Sequence, residues 1–538
     1  MSDTLTFAVV LEGHYRIRRE RTAITLLQAK QADLVLTYGR LVEGAAGIAA
    51  QLAQAGVQPG QVVVIILPHG ELLIDAFWGA SLHGAIPSIL PPLNEKLSPE
   101  KYRRDLAALI GVTQPGAIVT DPAFAPEVRQ AVQHSGRTVA VLALQQPAYA
   151  SPEFASLAGA HGRVDDIALL QHSSGTTGLQ KGVALSHRAV FHQLQAYAPA
   201  INLSPNDVIV SWLPLYHDMG LIASFVMPVL RRVPLVLMSP FDWVRAPARL
   251  LQAISTHKGT LCWQPNFAYN FCATRVRERD LAGVDLSSMR AFVNCSEPCY
   301  RHSHAVFAQK FVDYGLRADA LHTCYAMAEN TFAVTQSAAA PSSIESGSEL
   351  HLSCGRPLAN TRIRILGEDG VALPDGQTGE IVVQSDCMLS SYYHRDDLTA
   401  QAFVDGHYRT GDLGYLSGGE LFVTGRKKDL IIIGGKNVYP NDLEQLAGEV
   451  DGVHAGRVAA FGVYDAEAGT EEVVVVAESD ATADDERERV GDNVRAHITR
   501  NSDVAVRIVQ IVPARWLIKT SSGKVARSAN RDKYLAKD

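Results

Sequence analysis

The sequence predicts an α/β fold: a large N-terminal region of several subdomains on parallel-rich sheets, a small β-rich unit after it, and a small α+β domain at the C-terminal end. Three observations carry that expectation. Short, wholly apolar runs alternate with stretches of helical length, the pattern of strands buried on both faces between crossover helices. After about residue 355 the runs become short and polar-flanked, as in NTRIRIL, GEIVVQ and GELFVTG. The final segment then carries strands and a helix of its own, over roughly 110 residues, an ordinary domain size.

Taken in order, residues 41–56 (LVEGAAGIAAQLAQAG) place Leu41, Ala45, Ile48 and Leu52 on one helical face and stop at Gly56. QVVVIILP (61–68) follows as a buried strand bounded by Gly60 and Pro68. GAIVTD (116–121), DVIVSWLP (207–214), VPLVLMSP (233–240) and MRAFVNCSEP (289–298) repeat the theme, separated by helical stretches such as ARLLQAISTHKG. The apolar run 221–238 has Arg231 and Arg232 at its centre, where charge is expensive in hydrocarbon, so it reads as core and not as a membrane span. QSAAAPSSIESGSE (336–349) reads as a surface loop. GRKKDLIII (425–433) leads into GRVAAFGVYD, EEVVVVAE and RIVQIVP as strands around the helical DERERVGDNVRAHITRN. The expected domains are 1–425 and 426–538.

With 538 residues, 47% of them apolar, the chain can bury large cores and fill more than one domain. A net charge of −7 disfavours a nucleic-acid binder, which needs a concentrated basic face. Small molecules or proteins are the expected partners. The first twenty residues lack the basic head and sustained apolar stretch of a secretory signal. Seven scattered cysteines, with Cys295 and Cys299 the nearest in sequence, give neither a disulfide framework nor a paired CxxC zinc pattern, so the expected compartment is reducing and cytoplasmic.

Chemistry first shows at HSSGTTGLQKG (172–182), a hydroxyl- and glycine-rich loop with one lysine between two apolar segments. Such a loop can curl its backbone N–H groups round phosphates, with hydroxyls adding donors or reaching a phosphate-bound metal. Alone, it is equally an ordinary flexible turn. The GxxxxGK[ST] spacing of a Walker A loop is absent, and no GxSxG elbow supports a hydrolase.

SSGTTGLQKG resembles the signature loop of the adenylate-forming superfamily, which includes acyl-CoA synthetases, fatty acyl-AMP ligases, luciferases and nonribosomal peptide synthetase adenylation domains. Six further blocks follow in that superfamily's order: SWLPLYHDMGLI (211–222), NCSEP (294–298), CYAMAENT (324–331), YRTGDLGYL (408–416), GRKKDLIIIGGKNVYP (425–440) and TSSGK (520–524). The wording of YHDMGLI, PNFAYNFC (265–272), AENTF and SCGRPL (353–358) is most similar to fatty acyl-AMP ligases and their close acyl-CoA synthetase relatives.

That resemblance implies ATP-dependent conversion of a hydrophobic carboxylic acid to acyl-AMP with loss of pyrophosphate, then transfer to a phosphopantetheine thiol of an acyl carrier protein or of CoA. A carboxylate is a weak nucleophile, and positioning and charge neutralisation do most of the work. By the same resemblance Ser173, Ser174, Gly175, Thr176, Thr177, Gly178 and Lys181 hold the β- and γ-phosphates. Thr176 and Glu329 hold Mg²⁺, a hard dication suited to few carboxylates plus phosphate oxygens. Tyr325 lies on the adenine, with Asn294, Ser296, Glu297 and Pro298 lining the base pocket. Asp412 accepts from the ribose hydroxyls and Arg426 reaches ribose or phosphate. Lys524 neutralises charge at the α-phosphate, and His217 stands where the carboxylate enters. Asn266, Phe267, Tyr269, Phe271 and Val293 are the expected acyl contacts.

The resemblance also implies a second half-reaction, in which a mobile C-terminal domain turns about Lys428, with Gly434 and Gly435 leaving room for a pantetheine arm. Two departures leave the acceptor open: the interval 336–352 is short where fatty acyl-AMP ligases carry a longer insertion, and GGKN (434–437) stands where RGRN is usual among them. Arg515, Lys519 and Arg527 form the basic cluster expected to steer an acidic acceptor. The alternatives are an acyl-AMP-forming enzyme with no thioester step and a non-catalytic acyl- or nucleotide-binding relative. Lys524, Glu329 and Asp412 disfavour the last.

Overall fold

The computed structural model describes residues 4–29, 31–93, 99–172, 181–338, 351–433, 436–465, 470–502, 504, 506–520 and 523–536. Its largest sheet runs in the order Arg356–Pro357, Ala333–Gln336, Leu321–Ala326, Ala291–Asn294, Leu261–Gln264, Ile209–Ser211, Leu235–Met238, Thr22–Leu27, Leu34–Thr37. From Leu321–Ala326 to Thr22–Leu27 every pairing is parallel, and both edges are closed by antiparallel strands. A second sheet, wholly parallel, orders Ile86–Ile89, Val62–Ile66, Ala117–Thr120 and Ala140–Ala143. Every residue of Val62–Ile66 is buried, as an unbroken apolar strand covered on both faces requires.

The helix expected at 41–56 is Tyr38–Gln54, and Thr37 caps it by accepting the Arg40 N–H at 3.2 Å. It packs on Glu71–His83 so closely that a Cβ on Gly44 would come within 2.5 Å of the buried Asp75 carboxylate. Glycine is what lets these two helices touch. The run 221–238 is core, as its composition requires: a π-helix Met219–Val226, a helix Met227–Arg231 and the strand Leu235–Met238, with Arg231 and Arg232 exposed at the turn between them. Among the described residues no helix is long and apolar enough to cross a membrane.

The β-rich unit is antiparallel, with Thr361–Leu366 on Gly379–Ser385, that strand on His407–Ser417, and His407–Ser417 on Glu420–Arg426. Beyond it lie the hairpin Ile431–Ile433 and Lys436–Val438, the helix Pro440–Gly448, and a sheet of Val453–Asp465, Thr470–Ser479 and Ile508–Pro513. Thr470–Ser479 alternates as a strand between two layers must. Val473 and Val475 join Leu443, Val494 and Ile498 in one cluster, while Val474 and Val476 join Phe461, Trp516 and Leu517 in another.

Ile167–His172 and Gly182–Ser186 pair antiparallel, and Ser391–Tyr392 adds to the latter. The expected phosphate-loop residues Ser173, Ser174, Gly175, Thr176, Thr177 and Gly178 lie outside the described residues, as do Gly434, Gly435 and most of the interval 336–352.

Candidate active site

Neighbouring parallel strands of the large sheet end at one cavity of about 960 Å³. Asn266 and Phe267 follow Leu261–Gln264, Ser296, Glu297 and Pro298 follow Ala291–Asn294, and Tyr325 and Glu329 come from the end of Leu321–Ala326 and the turn beyond; all line it. Ligands of open α/β sheets bind outside the carboxyl ends of such strands. Asp412 and Arg426 from the β-rich unit and Lys524 from the C-terminal segment line the cavity as well. His217 and Asp218 also line it. The helix Arg301–Phe311, through His302 and Lys310, and the helix Pro440–Gly448 with Glu449 after it contribute to the same lining.

Asp412 is fixed from three sides. Thr410 Oγ1 accepts its backbone N–H at 3.0 Å, and Gly411, at φ +69°, sets the turn that only glycine adopts freely. Tyr325 donates its hydroxyl to Oδ2 at 2.6 Å, and Arg426 Nε, on the partner position of the adjacent strand, lies 3.2 Å from Oδ1. Burial, with Asp412 beside it, pushes the Tyr325 phenol well above its ordinary value, so the ring stays a neutral donor. The result is a carboxylate presented on a rigid support, next to an aromatic face and a guanidinium.

Glu329 is oriented by a chain of hydroxyls. Tyr392 donates to its Oε1 at 2.9 Å and shares a 2.8 Å hydrogen bond with the Tyr408 hydroxyl. Lys181 Nζ lies 4.8 Å from the centroid of the Tyr392 ring, which brings the far end of the glycine-rich segment to the same corner. Ser296 holds φ +72°, a strained left-handed conformation for a non-glycine residue, of the kind that clusters at ligand sites. Next to it Glu297 Oε2 accepts the Phe267 N–H at 3.1 Å and so caps the helix Asn266–Arg275.

His217 Nδ1 lies 2.7 Å from Asp218 Oδ1, which also accepts the Met219 N–H at 2.8 Å. Burial works against a charge on Asp218, but His217 and Lys524 outweigh it and hold the carboxyl below its usual range. Lys524 is the mirror case: burial, with Arg426 nearby, depresses its ammonium below the ordinary lysine range, while Glu297 and Asp218 partly restore it. A desolvated cation facing a cleft is what a phosphoryl site needs.

Several residues expected at the site lie elsewhere. Asn294 is fully buried behind the cavity wall, donating to Asn266 Oδ1 at 2.9 Å and meeting His304 Nε2 at 3.1 Å. Tyr269, Phe271 and Val293 do not line the cavity. PNFAYNFC is a helix, so Asn266, Phe267, Asn270 and Thr274 share the face towards it, whereas Tyr269 packs on Phe307 at 5.1 Å and Phe271 on Trp243 at 5.3 Å. Val293 sits inside its strand, fully enclosed. Lys428 stands off the cavity, in the turn Lys427–Asp429, with its ammonium lowered by burial and by Arg426.

The basic cluster around TSSGK is corrected too. Arg527 is turned inward onto Glu444 and Asp429, and Lys519 Nζ faces the Phe267 ring 5.9 Å away, so the surface cation expected there reduces to Arg515. All seven cysteines are free and buried, and Cys299 Sγ donates to the Asn294 carbonyl at 3.5 Å. Tyr392 and Tyr408 join the site with no signal in the sequence, since SYYHRDD and HYRT offer only three aromatic hydroxyls with nothing to single out these two.

Residues 13–393 match the family described as AMP-binding enzyme. The medium-chain-fatty-acid–[acyl-carrier-protein] ligase JamA of Moorena producens is 30% identical over 99% of this chain and 95% of its own. The long-chain-fatty-acid–AMP ligase FadD26 of Mycobacterium bovis is 31% identical over 93% of this chain and 91% of its own. Among solved structures, a fatty acyl-adenylate ligase from L. pneumophila in complex with acyl adenylate and pyrophosphate superposes with a TM-score of 0.70 at 27% identity, covering 98% of this chain and 96% of that one.

Proposed function

This chain belongs to the AMP-binding enzyme family, and from that premise we propose that it activates a hydrophobic carboxylic acid, fatty or otherwise bulky and apolar, as acyl-AMP from ATP and passes the acyl group to a phosphopantetheine thiol. The observation that carries the reading is the convergence of Asp412, Arg426, Tyr325, Glu329, His217 and Lys524, from five separate stretches of sequence, on one cavity. A fatty acyl-adenylate ligase binds acyl adenylate and pyrophosphate on the same fold.

In this reading Asp412 accepts from the ribose hydroxyls, Arg426 stands beside it, and Tyr325 lies along the base with Ser296, Glu297 and Pro298. Lys181 and the serine, threonine and glycine residues 173–178 hold the terminal phosphates. The acid enters past His217, with its apolar part against Phe267. Its carboxylate oxygen attacks the α-phosphorus, the bond to pyrophosphate breaks, and Lys524 neutralises the charge that gathers there. Glu329 fits Mg²⁺: it is an anionic oxygen donor, held by Tyr392 and open to the cavity. A dication there would offset phosphate charge. Asn294 acts from behind, by fixing Asn266.

We assign the domains as 1–425 and 426–538, with Lys428 as the pivot that removes Lys524 after adenylation. The thiol then attacks the acyl carbon and AMP leaves. A carrier protein is the favoured acceptor and CoA the second, because one relative is named as a carrier-protein ligase. Free, buried cysteines favour a cytoplasmic setting. The test is ATP–pyrophosphate exchange with a panel of fatty, aromatic and amino acids, with CoA and a holo-carrier protein offered in parallel. Exchange with fatty acids and thioester on a thiol is expected. Exchange only with small polar amino acids would overturn the acid class, and accumulated acyl-AMP with neither thiol consumed would overturn the transfer step.

A further inference from the structure

The turn that carries Lys428 is clasped on both sides. Before it, Lys427 Nζ lies 3.3 Å from Glu380 Oε2, and the same buried carboxylate receives Arg409 Nη2 at 2.5 Å. Glu380 belongs to Gly379–Ser385 of the β-rich unit. After it, Asp429 Oδ2 accepts from Arg527 Nη1 at 2.8 Å. Arg527 opens the helix Arg527–Leu535, three residues beyond Lys524. Its Nε donates to Glu444 Oε1 at 2.7 Å and its Nη2 to Glu444 Oε2 at 2.6 Å, with a further hydrogen bond to Asn441. Glu444 also accepts the Ala460 N–H at 3.0 Å. One planar guanidinium thus joins the turn, the helix Pro440–Gly448 and the segment that ends in Lys524. Lysine, a point charge, could not span all three.

We propose that Arg527 is a positioning residue for adenylation, which welds the Lys524 loop to the first residue after the pivot. The Lys427–Glu380 pair holds the preceding residue to the β-rich unit, so a backbone change at Lys428 alone becomes a rigid displacement of Lys524. The inference rests on the reading of Lys428 as pivot and Lys524 as the adenylating lysine. Its energetic logic is local: without the fork, Asp429 and Glu444 face each other uncompensated and the loop is no longer tied to the turn.

The test compares Arg527→Lys, Asp429→Ala and the double variant in the full chain. Adenylation is read by pyrophosphate exchange, transfer by thioester formation from preformed acyl-AMP, and the loop by amide hydrogen exchange over residues 519–526. Each single variant is expected to lower kcat for adenylation about tenfold or more, with KM for ATP within about twofold, because the lost contact positions Lys524 and does not bind nucleotide. The double variant should be no worse than the worse single, since both break one clasp. Exchange over 519–526 should accelerate in all three. Unchanged loop exchange, additive losses, or a raised KM at constant kcat would overturn the inference. A wild-type protein with no acid-dependent pyrophosphate exchange would instead overturn the function on which it rests, while loop exchange still decides the clasp.

Discussion

Replacing Lys524 by alanine is expected to abolish adenylation while sparing transfer. Among the described residues the loop is held by bonds that leave out the lysine side chain: the Lys524 N–H donates to Thr520 Oγ1 at 3.2 Å, the Thr520 N–H to the Lys524 carbonyl at 2.8 Å, and the Gly523 N–H to the Thr520 carbonyl at 2.9 Å. Truncation therefore removes the ammonium and keeps the turn. Losing one positioned electrostatic group at a developing charge lowers the rate by about two to three orders of magnitude, about 2.7–4 kcal/mol. Thioester formation from preformed acyl-AMP should stay within about threefold of wild type, because the lysine acts only on the α-phosphate. A pH signature accompanies it. Burial lowers the Lys524 ammonium below the usual lysine range of about 10.4, so wild-type adenylation should fall as pH rises through that lowered value. The alkaline limb should vanish in Lys524→Ala. Pyrophosphate exchange and acyl-AMP discharge, each followed from pH 6 to 10, measure both halves; equal loss in both, or an alkaline limb that survives the substitution, would refute the reasoning.

Three further outcomes are expected. Across a series of straight-chain acids, each added methylene should strengthen apparent binding about fourfold, from about 0.8 kcal/mol of burial, until the space beside Phe267 is filled; competition assays with unlabelled acids read it, and a flat series would count against an apolar pocket. Tyr392→Phe removes the 2.9 Å hydrogen bond that orients Glu329, and should raise the Mg²⁺ concentration needed for half-maximal adenylation about tenfold, measured by metal titration at saturating ATP. Asp75, buried between helices with Glu71 disfavouring its charge and Arg40 favouring it, has its carboxyl raised to about 8. Between roughly pH 4 and 8 the folded state then holds a proton that the unfolded state has lost, so stability should decline as pH rises through that window, by at most about 1.4 kcal/mol per pH unit, and Asp75→Asn should flatten the decline in thermal unfolding.

Much of the fold was legible because buried strands of a parallel sheet read as unbroken apolar runs: QVVVIILP, GAIVTD and MRAFVNCSEP each became such a strand. Phe267, Tyr269 and Phe271 alternate as a strand would, but PNFAYNFC is helical, so only Phe267 turns to the cavity while Asn270 and Thr274, one and two turns on, join it. Pairings between distant segments left no trace in sequence. Asp412 and Arg426 belong to separate motifs and become cross-strand partners, and Arg527, read as a surface cation, folds inward because Glu444 and Asp429 converge on it. Tyr392 reaches Glu329 from 63 residues away, a contact only the tertiary fold creates.

The central claim is that the acid's own carboxylate attacks the α-phosphorus of ATP. Transfer of heavy oxygen tests it most directly: the enzyme is supplied with a decanoate-sized acid carrying ¹⁸O in both carboxylate positions, ATP and a holo-carrier protein, and the released nucleotide is analysed by mass spectrometry. Acyl-AMP formation followed by thiol attack on the acyl carbon leaves one carboxylate oxygen on phosphorus, so AMP should carry one ¹⁸O per turnover and pyrophosphate none. Label in orthophosphate with ADP as the nucleotide product would place the attack at the γ-phosphorus and contradict the account.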